Sequence, residues 1–581
     1  MTVTGTPPRR QSVQAAGPLT DLDTPDTLDL LFGDPYDPAN PVGHRAFLDA
    51  DERGDFLPAG RKALESFGIG AQFVPRALGG RLGQVDELAR VLRTVFRHDG
   101  SLGLGLGAIN LIASSTVWAA GDAQQQGFMA DVLLRGGPTA GAITELAYGD
   151  DLARTRLQAT ERGEGVVLNG RKEVISNIAR AHAFTVLART SADQGSRSHT
   201  LFLVDPASVP RDRMRFLPRF RTSGMRASHL GGVEFVDCPL PSSAVVGGYG
   251  NAMETILRCF QVTKSVAGAA SIGMVDTMLR TVADFAVNRR LYDRTVTGLP
   301  FVEAELAGVF TDLLICDALT TTACRALHVL PRQTSVYAAA TKYLVPEIEQ
   351  AAADRLTVVL GARSFLREGP HAVFQKNLRD LPVAALAHSG ATVCLSTIIP
   401  QLPRLARKSW FTSDAPEPAL YRLARPLPDL DFQRLEANAG SDDRVIATLP
   451  AVEREVRADP VLRALCARLL DELRSLTDGW RALAPRNRTP FAGPIGFELA
   501  ERYTVVLAAA ACLGMWWHNQ DHPDPFMRDT AWLVCALDRL TRRLGYDPLP
   551  EAEHAAGQVF TELLRRHAEH RAFDLIGRRL H

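Results

Sequence analysis

The sequence predicts an α+β protein in which a β domain lies between helical domains. Three observations predict this class: helical periodicity up to about residue 138, short strand-like runs between 139 and 248, and renewed helical periodicity from 249 onward. With 581 residues, 46% of them hydrophobic, the chain has room for three or four domains of ordinary size.

The order of these patterns divides the chain into six segments. The first, residues 1–25, is polar and rich in Pro and Gly, which is typical of a flexible tail. The others are an N-terminal helical domain (26–138), a middle β domain (139–248), a four-helix bundle (249–410), a Pro-rich linker (411–432) and a C-terminal all-α domain (433–581). Within the N-terminal domain, GSLGLGLGAIN (100–110) is predicted to be a loop, because no strand precedes it and the G-x-G-x-x-G spacing is missing.

The β domain contains runs such as RLQATE, VVLNG, FTVLART, HTLFLV and VEFVD, separated by turn residues. Short strands at this spacing favour a barrel or a sandwich. The dipeptide Asn169-Gly170 has the composition of a tight hairpin, because both residues tolerate a positive φ.

The bundle is predicted from four long helical segments with short connections, at 251–290, 302–330, 336–360 and 384–405. The region after the linker predicts a separate helical unit. Its candidate helices are 448–476, 496–518, 526–544 and 551–572.

Charge and composition argue against several classes of function. Lys and Arg number 65, equal to Asp and Glu, so the formal net charge of zero gives no general attraction to nucleic acid or to anionic membranes. The longest apolar run, 503–517, is too short to span a bilayer and predicts a buried helix. Eight cysteines without a Cys-x-x-Cys pair indicate reduced core residues. The first residues lack a secretory signal, so we expect the cytoplasm.

Motifs for metal, phosphate or hydrolase chemistry are weak or missing. His518 and His522 have a helix-compatible ligand spacing, but Pro523 follows and no third ligand lies nearby in the sequence. The sequence contains no P-loop and no G-x-S-x-G motif, and we expect no metal site.

Four stretches resemble one known family. GAITELAYGDDL, continuing to NGRKEVISN, resembles the T-E-P-x-x-G-S-D and K-x-W-I-T-N motifs that open the middle domain of acyl-CoA dehydrogenases. SGMRASHLGGVEF resembles their G-M-R-x-S strand pair, FAVNRRLYDRTV their R-x-x-F-G stretch, and FQKNLRDLPVAALAHSG their L-R-D segment. The resemblance covers about residues 41–408 and implies the fold of this family. That fold has an N-terminal helical domain, a middle β-barrel and a four-helix bundle. The C-terminal helices resemble, in architecture alone, the extra domain of acyl-CoA oxidases and very-long-chain dehydrogenases.

The resemblance implies FAD as the cofactor, and no amino-acid side chain could accept a hydride in its place. It puts the backbone of Ile143 and Thr144 against the flavin ring, and Ser176 where the family uses a Thr hydroxyl. Val174 stands where the family often has Trp. Asp150 stands where the family has Ser beside the pyrophosphate, and its carboxylate would repel a phosphate at close range.

The resemblance also implies a homodimer or homotetramer, because in the family a second subunit completes the cofactor site. Arg289 matches an Arg that reaches the cofactor phosphates across the dimer. The alternative interpretation of Arg289 is that it lies, with Arg290, on a solvated helix face and binds nothing. Gly361 matches a glycine at which the cofactor approaches closely, but Ala362 replaces the second Gly and Val358 the expected Gln.

The catalytic base is the main departure from the family, which uses a Glu at one of two positions. The position on the long bundle helix falls at Thr263, followed by Lys264. The loop position falls at His388, or at Ser389 if the alignment is anchored on Gly390. A neutral imidazole could accept an α-proton near pH 7, so His388 is the candidate base, and a degenerate loop without a base is the alternative.

The leading functional hypothesis is therefore FAD-dependent α,β-dehydrogenation of an acyl thioester, as a dehydrogenase or an oxidase. The thioester would be carried by CoA or an acyl carrier protein, and the missing Glu favours a biosynthetic substrate of secondary metabolism. One alternative is a flavin-dependent monooxygenase or hydroxylase on the same fold. Another is a catalytically silent homologue that serves as an assembly partner.

Overall fold

The computed structural model describes residues 25–193, 195–456 and 459–581. Residues 1–24 of the expected tail lie outside these ranges. The N-terminal helices are α1 (Pro25–Phe32), α2 (His44–Arg53), α3 (Pro58–Phe67), α4 (Val85–His98), α5 (Gly100–Leu102), α6 (Ile109–Ala120) and α7 (Ala123–Leu134).

The expected loop at 100–110 is helical, and its segment Gly103–Ala108 is a π-helix. Its glycines allow close packing of aromatic rings. A Cβ on Gly103 would lie 2.3 Å from the Phe96 ring, and one on Gly105 would lie 2.3 Å from the Phe56 ring. The small residues are therefore explained by packing and not by a turn.

The middle domain is a single eight-stranded mixed sheet in the order β6-β7-β3-β2-β4-β5-β8, with β1 beside β4. The strands are β1 (Thr139–Ala142), β2 (Gln158–Arg162), β3 (Gly165–Ser176), β4 (Ala183–Arg189), β5 (His199–Val204), β6 (Met214–Leu217), β7 (Leu230–Pro241) and β8 (Val245–Val246). The rings of Phe184 in β4 and Phe235 in β7 are 6.4 Å apart, although two strands separate β4 from β7 in the sheet. The sheet therefore curls around its own core in the manner of a barrel.

The hairpin expected at Asn169-Gly170 is wrong, because both residues lie inside β3. The turn between β2 and β3 contains Gly163 at φ +59 instead. Gly170 has φ +125 and follows a register shift at Leu168, so it belongs to a β-bulge. A Cβ on Gly170 would lie 2.9 Å from the Cα of Leu157, which explains why glycine stands there.

The bundle has three long helices and a fourth side made of short ones. The long helices are α8 (Ala252–Asn288), α9 (Pro300–Val329) and α10 (Thr334–Leu360), and a small hairpin of β9 (Arg290–Leu291) and β10 (Arg294–Thr295) connects the first two. The helix expected at 384–405 is divided among short helices that follow α11 (Ala372–Asp380), namely α12 (Val383–Leu386), α13 (Ala391–Ile398) and α14 (Leu402–Lys408). His388 and Ser389, at φ +58 and +85, interrupt it. Such φ values are incompatible with a right-handed helix.

The C-terminal helices share one continuous apolar core with the bundle and are not a separate unit. They are α15 (Thr448–Glu455), α16 (Pro460–Ala482), α17 (Pro494–Trp517), α18 (Pro525–Arg528), α19 (Thr530–Arg543) and α20 (Ala552–Ala568). At the joint, the buried carboxylate of Asp443 accepts hydrogen bonds from Tyr337, Trp410 and Tyr503 at 3.1, 3.0 and 2.7 Å. The expected buried helix at 503–517 is confirmed as part of α17.

Four described stretches are long and apolar enough to cross a membrane by length and composition: Gly100–Ala120, Pro300–Val329, Ala372–Ile398 and Pro494–Trp517. Three of them are mostly buried inside this fold, and Ala372–Ile398, which spans α11 to α13, is 33% buried.

Candidate functional site

A buried ion pair fixes the loop that follows β1. The Lys172 ammonium donates to Glu145 Oε1 at 3.0 Å, to the carbonyl of Ile143 at 2.9 Å and to Thr155 Oγ1 at 3.1 Å. The Glu145 carboxylate also accepts from the backbone N–H groups of Arg156 and Leu157, each at 3.0 Å. These contacts hold the pKa of Glu145 below its usual value, although burial opposes them.

The same loop is joined to the edge of β3. The carbonyl of Thr144 accepts from the N–H of Glu173 at 3.1 Å, one residue before Val174. Val174 has φ +61 and lies at a register shift in β3, which is a strained conformation for a β-branched residue. Ser176 ends the strand, half-buried. The structure thus brings Ile143, Thr144, Val174 and Ser176 to one edge of the β domain.

His388 lies across from the bundle helix that carries Thr263. The His388 Nε2 and Thr263 Oγ1 atoms are 2.6 Å apart, and the imidazole lies 3.9 Å from the Phe260 ring, centroid to centroid. Thr263 Oγ1 can donate its one proton to the carbonyl of Phe260 at 3.1 Å. The hydroxyl therefore has two possible acceptors, the Phe260 carbonyl and His388 Nε2, and either tautomer of His388 satisfies the contact with Thr263.

The surroundings of His388 keep it neutral. The residue is only partly exposed and its ring is enclosed, so loss of hydration lowers its pKa to about 3, helped by the nearby charges of Lys342 and Lys264. The sequence expectation assumed a value near 6.5. The imidazole is therefore a weaker base here than the sequence suggested.

Two buried lysines lie beside this loop. Lys342 is 2% exposed and its ammonium donates to the carbonyl of Ala384. Lys264 is 6% exposed and forms no hydrogen bond or ion pair with any residue that the structure describes. Sequence reasoning passed over Lys342, although a single Lys in the apolar text AAATKYLV was a visible signal.

Asp150 connects the β domain to the bundle. Its Oδ2 atom accepts from the N–H of Gly390 at 2.8 Å, at the N-terminal end of α13. A helix N-terminus favours negative charge, so the carboxylate is held where an anionic ligand would also be stabilised.

Within one chain, Arg289 and Gly361 lie far from His388 and Thr263. Arg289 follows the last residue of α8, roughly 37 Å along the helix from Thr263 at 1.5 Å per residue. It is exposed, and its guanidinium group makes no hydrogen bond or ion pair with the described residues, whereas its backbone bonds to Phe285 and Val296. Gly361 follows α10, roughly 27 Å along that helix from Lys342.

The two histidines weighed as metal ligands have other contacts. The His518 ring stacks on Tyr421 at 5.5 Å, and His522 Nδ1 accepts from the N–H of Asp524 at 3.2 Å. In the part of the chain that the structure describes, no group of three or more His, Cys, Asp or Glu could hold a metal ion.

Family models match the middle domain and the bundle, which the contact of Asp150 with Gly390 joins. The acyl-CoA dehydrogenase middle-domain model matches residues 140–238, and the C-terminal-domain model matches residues 250–399. These two segments are the middle and C-terminal domains of the acyl-CoA dehydrogenase family. The resemblance inferred from the motifs is thereby confirmed.

Relatives within the acyl-CoA dehydrogenase family are distant. The probable acyl-CoA dehydrogenase FadE25 of Mycobacterium tuberculosis is 26% identical over 262 residues, which are 45% of this chain and 66% of the relative. The mitochondrial isovaleryl-CoA dehydrogenase of Solanum tuberosum is 24% identical over 254 residues, 43% of this chain and 61% of the relative. The match thus covers less than two thirds of these relatives.

Solved structures show the fold. Butyryl-CoA dehydrogenase from Megasphaera elsdenii matches with a TM-score of 0.59 at 18% identity, covering 66% of this chain and 98% of its own. The prolyl acyl carrier protein oxidase AnaB matches at 0.56 and 17%, covering 61% and 92%. An acyl-CoA dehydrogenase from Bacillus anthracis, complexed with FAD, matches at 0.71 and 14%, covering 94% of both chains. The last match extends the shared fold to the C-terminal helices.

Proposed function

We propose that this protein is a flavin-dependent oxidoreductase that removes hydrogen from the α and β carbons of an acyl thioester. The observation that carries the proposal is the contact between His388 and Thr263. It brings the family's two alternative base positions together within the second matched domain, and the contact of Asp150 with Gly390 joins the same loop to the middle domain. Of these two side chains, only the imidazole can serve as a proton acceptor, although burial lowers its pKa to about 3.

The residues fit FAD, with one exception. Gly361 has φ +62, and a Cβ added to it would have no atom within 4 Å, so a ligand can approach its backbone closely. Arg289 is an exposed, permanently charged fork suited to phosphate. The Ser176 hydroxyl makes no hydrogen bond to other described residues. Asp150 is the exception, because its carboxylate already occupies the N-terminus of α13.

FAD, when bound, would supply the acceptor for the hydride that leaves the β carbon. His388 would take the α-proton on its imidazole, while the hydrogen bond between His388 Nε2 and Thr263 Oγ1 fixes the orientation of the ring. The ion pair of Lys172 and Glu145 would hold the loop of Ile143 and Thr144 rigid against the cofactor.

A second copy of the chain would complete the site. Arg289 and Gly361 lie at the end of the bundle remote from His388, where large apolar side chains are exposed. These are Leu291, Tyr292, Phe301, Val358, Phe365 and Leu366. Burial of this surface in a homodimer or homotetramer would remove it from water. The eight unpaired, buried thiols favour a reducing compartment, and we propose the cytoplasm.

The carrier and the pathway are finer parts of the proposal. The likeness to the prolyl acyl carrier protein oxidase supports an acyl carrier protein as an alternative to CoA. The lack of a carboxylate at either base position supports a biosynthetic substrate of secondary metabolism, which would differ from an ordinary fatty acyl chain. The same observation favours the second candidate, a flavin-dependent hydroxylase, because that reaction needs no base for an α-proton.

The test begins with the absorbance spectrum of the purified protein and with anaerobic mixing with acyl thioesters. We expect bound flavin and its bleaching by a thioester. We expect His388→Gln to slow bleaching by about 100-fold or more, as for loss of a general base. The exposed His554→Gln is the matched control. If thioesters do not bleach the flavin and oxygen consumption requires a separate flavin reductase, the result would support the hydroxylase. A colourless protein would support the silent homologue.

A further inference from the structure

A polar cavity of about 410 Å³ lies where the N-terminal domain, the bundle and the chain after the linker meet. Its wall is formed by the end of α6, the first turns of α8 and Gln433, which follows the linker. Glu254 of this wall and Thr263 are nine positions apart on α8, which places them about 14 Å apart along the helix and on opposite sides of it. The volume is within the range of small-molecule sites. The cavity is therefore a place for a ligand separate from the surroundings of His388.

Glu254 contributes a free carboxylate to the wall. It lies in the first turn of α8 and is exposed, and its side chain makes no hydrogen bond or ion pair with any residue that the structure describes. Arg258 follows at the i,i+4 spacing, with the acidic residue on the N-terminal side, which is the favourable order for an ion pair on a helix. The described structure does not contain this pair. The negative charge of Glu254 is thus available to a ligand.

Arg258 is engaged by the chain after the linker instead. Its Nε atom donates to the carbonyl of Leu435 at 2.7 Å, and its Nη2 atom donates to the carbonyls of Phe432 and Gln433 at 2.9 and 3.0 Å. Its Nη1 atom makes no hydrogen bond with the described residues, so the protons on that nitrogen are available. The half-buried guanidinium therefore contributes a fixed positive group to the same wall.

The ends of two helices give the cavity the same two polarities. α6 ends at Ala120, and the C-terminal end of a helix carries partial negative charge. α8 begins at Ala252, and the N-terminal end of a helix carries partial positive charge. The side chain of Asn251 does not cap α8 and donates to the carbonyl of Gly247 at 2.8 Å. Negative and positive groups thus line one cavity together.

We propose that this cavity binds a small zwitterion of the free amino acid type, with its ammonium at Glu254 and its carboxylate at Arg258. A ligand with one charge would meet a like charge in the wall as well as an opposite one, whereas a zwitterion satisfies both groups. The bound molecule would connect α6, α8 and the chain after the linker. The site does not depend on the proposed function.

The test titrates the full-length protein with norvaline, butylamine and pentanoate in a calorimeter. Norvaline carries both charges, butylamine lacks its carboxylate, and pentanoate lacks its ammonium. We expect norvaline to bind the wild type at least about tenfold more tightly than either analogue, as for loss of a hydrogen bond between charged groups. Glycine, proline and glutamate extend the panel to other amino acids.

Two variants connect this binding to the cavity. Glu254→Gln should weaken the binding of norvaline at least about tenfold, because it removes the partner of the ammonium. Glu553→Gln is the matched control, because Glu553 is an exposed acidic residue in the first turn of α20 and does not line the cavity. Both substitutions remove one negative charge from a helix N-terminus, so the two variants should have similar melting temperatures without ligand.

The outcomes separate the zwitterion site from other uses of the cavity. Norvaline should raise the melting temperature of the wild type and of Glu553→Gln, but not that of Glu254→Gln. If butylamine or pentanoate binds the wild type as tightly as norvaline, one charge is sufficient and the proposal is overturned. If no amino acid of the panel binds the wild type more tightly than Glu254→Gln, the site is refuted. These measurements involve neither flavin nor thioester, so they are independent of the reaction proposed for His388.

Discussion

Asp150 gives the sharpest prediction about the cofactor. Its carboxylate accepts from the N–H of Gly390 at 2.8 Å, and the family resemblance puts the cofactor pyrophosphate beside it. Two unit charges 4 Å apart repel by about 1 kcal/mol in water and by about 4 kcal/mol at an effective dielectric constant of 20. Because Asp150 is exposed, we take about 1 to 2 kcal/mol, which is roughly a five- to thirtyfold change in the dissociation constant.

We therefore expect Asp150→Ser to bind FAD roughly five- to thirtyfold more tightly than the wild type. Asp150→Asn is the matched control, because its amide oxygen can still accept from Gly390 without carrying a charge. Both variants should gain affinity at low salt, and the gain should shrink at high salt because exposed charges are screened. Asp150→Ser should also lose about 1 kcal/mol of stability without cofactor, for the lost hydrogen bond.

The assay is quenching of FAD fluorescence on titration of the apoprotein, at about 50 mM and 500 mM salt. An unchanged or weaker affinity in both variants would show that the carboxylate does not oppose the phosphates. An increase in Asp150→Ser without one in Asp150→Asn would show that the side chain hinders by its contact and not by its charge.

Three other changes have defined outcomes. Lys172→Met should lower the free energy of unfolding, measured by urea denaturation, by about 3 to 5 kcal/mol, because it leaves the Glu145 carboxylate buried without its ion pair. A decrease of less than about 1 kcal/mol would contradict this account. Deleting residues 572–581 should lower the melting temperature by several degrees, because it exposes the apolar contacts of Phe573 and removes two backbone donors to the buried carboxylates of Asp276 and Asp317. An unchanged melting temperature would refute the role of this segment. Both ring nitrogens of His44 lack partners among the described residues, and burial lowers its pKa to about 3, against about 6.5 in the unfolded chain. Between these two pH values the unfolded state binds more protons than the folded state. The free energy of unfolding therefore falls as pH falls below 6.5. His44→Leu should remove this dependence, so that the difference in unfolding free energy between variant and wild type grows by about 2 kcal/mol from pH 7 to pH 5; parallel pH dependences would contradict it.

The sequence predicted the long-range order of the fold because hydrophobic periodicity is a local property. The long helices α8, α9 and α10 begin and end within a few residues of their expected limits. The fourth bundle helix was wrong because nothing in ALAHSGATV announces two consecutive residues at positive φ. Gly170 was misplaced for a related reason. A glycine required by the approach of Leu157 across the sheet has the same sequence signature as one required by a turn.

The candidate site was predictable where motifs lie close together and unpredictable where charges meet across domains. Thr144 and Glu173, the neighbour of Val174, meet because the segments after β1 and along β3 carry the matched motifs of one domain. The contact of Asp150 with Gly390 joins residues 240 positions apart, and no local pattern encodes it. The departure of Asp150 from the family was visible in the sequence, but its partner was not.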